Sequence, residues 1–287
     1  MSAMQAAGPR INYNAAAMMN VNRLNVLERD IMRSMQRISS GEKITRPADA
    51  VDAHGISENL RGQIRSLSMA SRNVQDGIAL INVAEGALNE VNDMLNRMRE
   101  LTIQAANGTL TDDDRDCITI EINKIKEEIN FISNNTEYNR QPLLNGKGEW
   151  GDGKGGFFHI GASNTPNIDF IRHKIQEVST RTLEIDDLSV ATMQDAQEAI
   201  DQVKDAVTFV NSVRASLGGI ANRLEHSWRN TDKMVEDNTA FESKLRDTDF
   251  GEEMIELTKN QIINQYCNAM LAQANQSPMS IFQLLNR

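Results

Sequence analysis

Few residues in this chain could do chemistry, and their spacing gives them little to do. His54, His159, His173 and His226 are scattered, and no His-Glu-x-x-His pair exists to hold zinc and supply a general base. Cys117 and Cys267 are too few for a disulfide framework and are not spaced as metal ligands. Cys117 stands beside an isoleucine seam and Cys267 beside Tyr266, so each is expected to be a small packed side chain. Thr111-Asp112-Asp113-Asp114 gathers oxygen ligands, but the glycine and distal glutamate of a calcium loop are missing. The same four residues suit a helix N-terminus, with a hydroxyl cap and negative charge against the helix dipole. Nothing resembles a nucleophile with its base or a phosphate loop, so neither an enzyme nor a cofactor or metal is expected.

What remains is a chain of 287 residues with a formal net charge of −10, 5% aromatic residues and five prolines. A compact globule of this length normally fills its core with more aromatics. Abundant Ala, Ile, Leu, Met, Glu, Gln and Asn suit long helices packed along narrow seams instead. The cations are scattered singly, which argues against a nucleic-acid partner and gives no support for an anionic membrane surface. No apolar run reaches 18 residues, so no transmembrane helix is expected. The opening MSAMQAAGPRIN lacks the charged and apolar regions of a secretory signal, so any export is expected by a signal-less route.

Helical spacing covers most of the chain. Leu24, Leu27, Ile31, Met35 and Ile38 form one stripe, closed at Ser39-Ser40-Gly41, where glycine can take a positive φ. Residues 49–53 follow Pro47 as a non-helical connector. From about residue 56 to 106, Leu67, Val74, Ile81, Leu88 and Leu95 repeat by sevens, with Ala84, Val91 and Met98 as a second row, a seam roughly 75 Å long. Ile118, Ile122, Ile125, Ile129 and Ile132 predict the next helix. Residues 145–156 are glycine-rich turn chemistry, and 157–162 and 167–175 alternate as two short strands. From Met193 helix returns. Ala196, Val203, Val210, Leu217 and Leu224 step by sevens, as do Met193, Ile200 and Val207, and Trp228, Val235, Phe241 and Leu245 carry the pattern on. Gly218-Gly219 costs about 1 kcal/mol each relative to alanine in mid-helix, which a close helix–helix approach would rationalise. The expected fold is mainly α, a long antiparallel helical bundle or coiled-coil rod with a small β-hairpin region.

The two ends differ from the rest. Residues 260–286 carry no charged side chain, yet ten of these 27 are Asn or Gln. That many amides would be too costly in hydrocarbon for a membrane span. Residues 11–22 are similar, uncharged and with Asn12, Asn14, Asn20 and Asn22. Each end has only a narrow apolar stripe, too little to fold well alone. Both are expected to order on packing against neighbours, as in a polymerising subunit. Pro278 is expected to break the last helix into two pieces.

Six stretches carry a specific resemblance. SSGEKITRPADAVDAHGISENLRGQIRSL from Ser39, RMRELTIQAANGTLTDDD from Arg97 and NNTEYNRQPLLNG from Asn134 resemble the N-terminal signature of bacterial flagellins. SVRASLGGIANRLE from Ser212, FESKLRDTDFGEEM from Phe241 and AMLAQANQSPMSIFQLL from Ala269 resemble the C-terminal one. The likeness covers roughly residues 10–145 and 190–287 in the right order, with residues 1–9 as an extension. It departs at Asp49-Ala50 and Ala53, where the family commonly has paired aspartates and then glycine, and in its two cysteines. The middle is short, which implies a thin and comparatively smooth filament.

The resemblance implies that residues 1–48 and 241–287 are two halves of an inner-tube helical domain, and 49–240 a helical rod with its β region at about 141–190. It implies a structural subunit that polymerises into the bacterial flagellar filament for motility, exported unfolded through the flagellar type III apparatus. The partners implied are copies of itself, an export chaperone at the C-terminal segment, hook-associated and cap proteins, and the innate receptor Toll-like receptor 5. The family's receptor stretch matches Arg97, Leu101, Gln104 and Glu121. The other reading of these residues packs Leu101 between subunits and leaves Arg97 and Glu121 as an exposed ion pair. For assembly, the apolar residues of the two ends are Leu24, Leu27, Ile31, Met35, Ile38, Ile255, Ile262, Tyr266 and Leu271. Asn264, Gln265, Asn268, Gln273, Asn275 and Gln276 would line a central channel, where unfolded subunits must pass without being held by charge or by apolar patches; the other reading leaves these amides on solvent-facing helix positions. The implied location is a secreted, extracellular filament, with a periplasmic filament as the alternative. Two rivals are the hook–filament junction protein, which shares such ends, and a chemoreceptor-type signalling hairpin, which predicts neither the Gly-rich segment nor the uncharged terminus.

Overall fold

The computed structural model describes residues 14–148, 150–151, 155–165 and 168–285. Among these, the elements in chain order are α1 Ala15–Ser40, α2 Val51–Ala105, α3 Asp112–Asn135, β1 Glu137–Tyr138, β2 Gln141–Pro142, β3 Gly156–His159, β4 Phe170–His173, α4 Met193–Arg246 and α5 Phe250–Leu285. The protein is mainly helical with a small antiparallel β part, as the periodicity predicts. Contacts divide it into two units: residues 62–237, and residues up to 61 together with those from 238 on.

In the unit of residues 62–237, α2, α3 and α4 share one core. The predicted α2 seam is buried throughout, from Leu67 and Val74 to Leu95 and Met98. On α4, Ala196, Val203, Val210, Leu217 and Leu224 are buried, but the second row is Ala199, Ala206, Val213 and Ile220. Met193 is exposed instead, and Ile200 and Val207 are only half-buried. Side-chain size decides this, because alanine on a seam lets the facing helix come closer. Gly218 and Gly219, expected at a close approach, face open space.

α3 begins as predicted. The Thr111 hydroxyl accepts from the Asp114 N–H at 3.3 Å, and the Asp114 carboxylate accepts from the Thr111 N–H at 3.0 Å. Two polar side chains on its buried face organise the irregular segment: Lys126 Nζ donates to the carbonyls of Asp186 (2.9 Å) and Leu188 (2.8 Å), and the Ser133 hydroxyl to that of Leu144 (3.2 Å). The predicted strands shorten to β3 and β4, paired antiparallel from Gly156↔His173 to His159↔Phe170. Phe158 anchors them on α2 at Gly77, where a Cβ would meet its ring at 2.7 Å. The β1–β2 hairpin has no periodicity to betray it; Asn139 and Arg140 turn it with φ of 52° and 64°.

In the other unit, α1 ends at Gly41, whose φ of 73° lets its N–H reach the Arg37 carbonyl at 2.8 Å. α2 starts at Val51, so the expected connector of residues 49–53 is corrected to end at residue 50. Asp49 closes that connector, accepting from the Arg46 N–H at 3.1 Å and the Thr45 hydroxyl at 3.2 Å. Pro278 does not break α5, which is continuous to Leu285. A proline removes one helical N–H and frees the carbonyl four residues earlier. That carbonyl, on Ala274, takes the Asn14 side-chain amide at 2.8 Å as its donor.

Candidate assembly surface

α1 and α5 pair along a thin seam of Leu24, Leu27 and Cys267, with Ile263 and Leu271 packed against it. The α1 residues facing it step three, four, three, four: Leu24, Leu27, Ile31, Ser34, Ile38. Ser34 is buried at 4% exposure, whereas Met35, expected in the stripe, is 56% exposed. A heptad seam takes 34 rather than 35, whichever is more apolar. The connectors at the far end of the pair lock together. Residues 42 and 247 form an antiparallel bridge, with the Lys43 N–H on the Arg246 carbonyl and the Thr248 N–H on the Gly41 carbonyl at 2.9 Å. Arg246 then ties Glu42 (3.1 Å), Glu58 (2.8 Å) and the Ser57 hydroxyl (3.3 Å). The hydrogen bond from Arg246 holds the Glu58 carboxyl below its ordinary range, with Arg61 assisting. Reading the two signatures separately could not find this hub, because Glu42 and Arg246 lie at opposite ends of the sequence.

α5 presents three faces. One carries Cys267, Ile263 and Leu271 into the seam. A second carries Ile255, Ile262 and Tyr266, which step by seven and four and are 71%, 61% and 66% exposed. A third carries Asn264, Asn268 and Asn275, stepping by four and seven, with the Asn268 amide donating to Asn264 at 2.9 Å. Gln265 and Gln276 are exposed beside them, whereas Gln273 continues the apolar stripe seven residues after Tyr266. Leu24 and Leu27 are spent within the chain; Ile31, Ile38 and Leu271 are half-buried. Cys267, 5% exposed, is packed, but Cys117 is exposed, which corrects the expectation of burial for it.

The family's receptor residues lie on α2 and α3. Arg97 donates to Glu121 at 2.9 and 3.1 Å and to Glu100 at 3.2 Å, and these bonds raise its pKa further. Gln104 is exposed beside them. Leu101 is not at this surface: at 2% exposure it belongs to the core, because it faces the heptad seam next to Met98 and Ala105.

Among the described residues no cluster of His, Cys, Asp or Glu could hold a metal ion, and no helix is long and apolar enough to cross a membrane. Long helices, a terminal helix pair joined along a narrow seam and an exposed apolar stripe on α5 define the class, a long-helix protein with an apolar surface left uncovered within the chain. Residues 11–149 match the family model of the bacterial flagellin N-terminal helical region, and residues 200–285 that of the C-terminal helical region. The chain is 41% identical to the flagellin of Bacillus subtilis (strain 168), covering 96% of this chain and 99% of the relative. It is 35% identical to the flagellar filament 31.3 kDa core protein of Treponema maltophilum over the same shares of each chain. A putative flagellar hook-associated protein from Vibrio parahaemolyticus shares the fold, with a TM-score of 0.58 at 15% identity over 69% of this chain and all of that one. The chain belongs to the bacterial flagellin family.

Proposed function

We propose that this chain is the polymerising subunit of a bacterial flagellar filament, joined to its neighbours through the outer faces of α1 and α5. The observation that carries the reading is the stripe of Ile255, Ile262 and Tyr266, wholly apart from the seam the chain uses on itself. Apolar area of this kind is worth about 25 cal/mol per Å² once another subunit covers it. The amide face of Asn264, Asn268 and Asn275, with Gln265 and Gln276, would line the channel. The uncharged ends would travel unfolded through the type III apparatus, the C-terminal one held by an export chaperone, and the assembled filament would meet hook-associated and cap proteins. We place the filament outside the cell.

Seeded assembly tests this. Purified chain, heated to depolymerise it and cooled with short seeds, is expected to form long uniform tubes by electron microscopy. The double substitution Ile255→Gln and Ile262→Gln is expected to abolish growth while far-ultraviolet helicity stays. Unimpaired growth would remove the stripe from the interface, and isolated dimers in the parent chain would remove the filament reading.

The Arg97, Gln104 and Glu121 surface supports contact with Toll-like receptor 5, without Leu101. Glu121→Lys is expected to weaken binding of the soluble receptor ectodomain by about tenfold or more, as a reversed charge in an interface does. An unchanged affinity sinks this contact and leaves assembly untouched.

A further inference from the structure

The residue that starts α1 also reaches the backbone of α5. Asn14 Oδ1 accepts from the Ala17 N–H at 3.1 Å, an ordinary N-cap. Its Nδ2 donates to the Ala274 carbonyl at 2.8 Å, 260 positions away in sequence. In a regular helix that carbonyl would take the N–H of residue 278, and residue 278 is proline. A cap needs only the acceptor half of the amide. The donor half supplies the mid-helix bond that Pro278 denies to α5.

We propose that Asn14 is a register pin that makes helicity of α5 beyond Pro278 conditional on docking of α1. Three consequences follow from the bonding. Sliding α1 by one turn along α5 moves the amide away from the only carbonyl that Pro278 frees, so a single register is favoured. The cap of α1 and the continuity of α5 form or fail together, because one planar amide serves both. The thin seam of Leu24, Leu27 and Cys267 can slide past similar residues with little loss, so a polar pin supplies specificity that the apolar contacts do not. An unpaired carbonyl in the middle of a helix costs about as much as a lost hydrogen bond, which is enough to fray the turn after it.

The test separates the two halves of the amide. Asn14→Asp keeps the capping acceptor and removes the donor, and Pro278→Ala restores the missing N–H. Amide exchange is measured by mass spectrometry in the full-length chain, in the most ordered form it adopts, whether or not it polymerises. Failure of the filament reading therefore leaves this test standing. Asn14→Asp is expected to speed exchange of residues 279–285 several-fold, up to about tenfold, the ratio that one hydrogen bond commands. In the Pro278→Ala background the same substitution is expected to change exchange there less than about twofold, since the backbone N–H regained at that position now bonds the Ala274 carbonyl. An equal effect of Asn14→Asp in both backgrounds, or no effect in either, overturns the pin.

Discussion

Arg115 shows how one side chain can finish an element it does not belong to. It lies in the first turn of α3, where a cation beside three aspartates would be taken for a solvated ion pair. It is instead buried, and its Nε donates to the Ala105 carbonyl at 3.2 Å and Nη2 to that of Asn107 at 3.4 Å. Nη1 reaches Asp112 at 3.0 Å. The last carbonyls of a helix have no partner of their own, so the guanidinium caps α2 from the next helix. Arg115→Ala is expected to destabilise the unit of residues 62–237 by about 2–3 kcal/mol, the cost of leaving buried acceptors unpaired. Arg115→Lys is expected to recover less than half of this, because an ammonium cannot span two carbonyls as the fork does. Urea unfolding of the full chain measures both. Equal midpoints for Arg115→Ala and the parent would show that water caps α2 as well.

At the scale of elements, what the sequence reveals and what it hides follow one physical division. Heptad rows are local, so the α2 seam, the first row of α4 and the Thr111 cap are all readable from spacing. Choosing between two possible second rows is not local. Met193, Ile200 and Val207 outweigh Ala199 and Ala206 in hydrophobicity, yet the alanines are buried because the neighbouring helix is close. The same holds for Ser34 over Met35. The strands β1 and β2 are two residues each, too short for any alternation, and are defined by the left-handed Asn139-Arg140 turn. The continuity of α5 was hidden because its missing donor comes from Asn14. In the assembly surface, the amide and apolar residue types stood in the sequence, but not their division into faces. Leu101 shows the cost: a motif match says nothing about which side of the seam a residue faces.

Over the whole molecule, each unit depends on charges that acid removes, and the two should respond over different pH ranges. In the unit of residues 62–237, His173 has its pKa lowered, first by burial and then by Arg223. A histidine whose folded value is depressed binds protons more readily when unfolded. Stability is therefore full above the unfolded value near 6.5 and declines as pH falls from there toward the folded value. The same unit holds Asp114, depressed by its bonds with the Thr111 hydroxyl and then the Thr111 N–H. The other unit carries Glu58, depressed by Arg246. For such carboxyls the stabilisation is full above the unfolded values, near 4, and is lost as pH falls through the lower folded ones. Through Glu58 the terminal unit should weaken as pH falls below about 4, while through His173 the other begins to weaken near 6. Hydrogen exchange resolved by peptide, at pH steps corrected for intrinsic rates, distinguishes them. His173→Gln should flatten the response of α2 and α4 core peptides between roughly pH 6.5 and 5 and leave the loss below 4 intact. If the substituted chain declines in that interval as steeply as the parent, another group carries the proton, and the half-buried imidazole has no part in the stability of the unit.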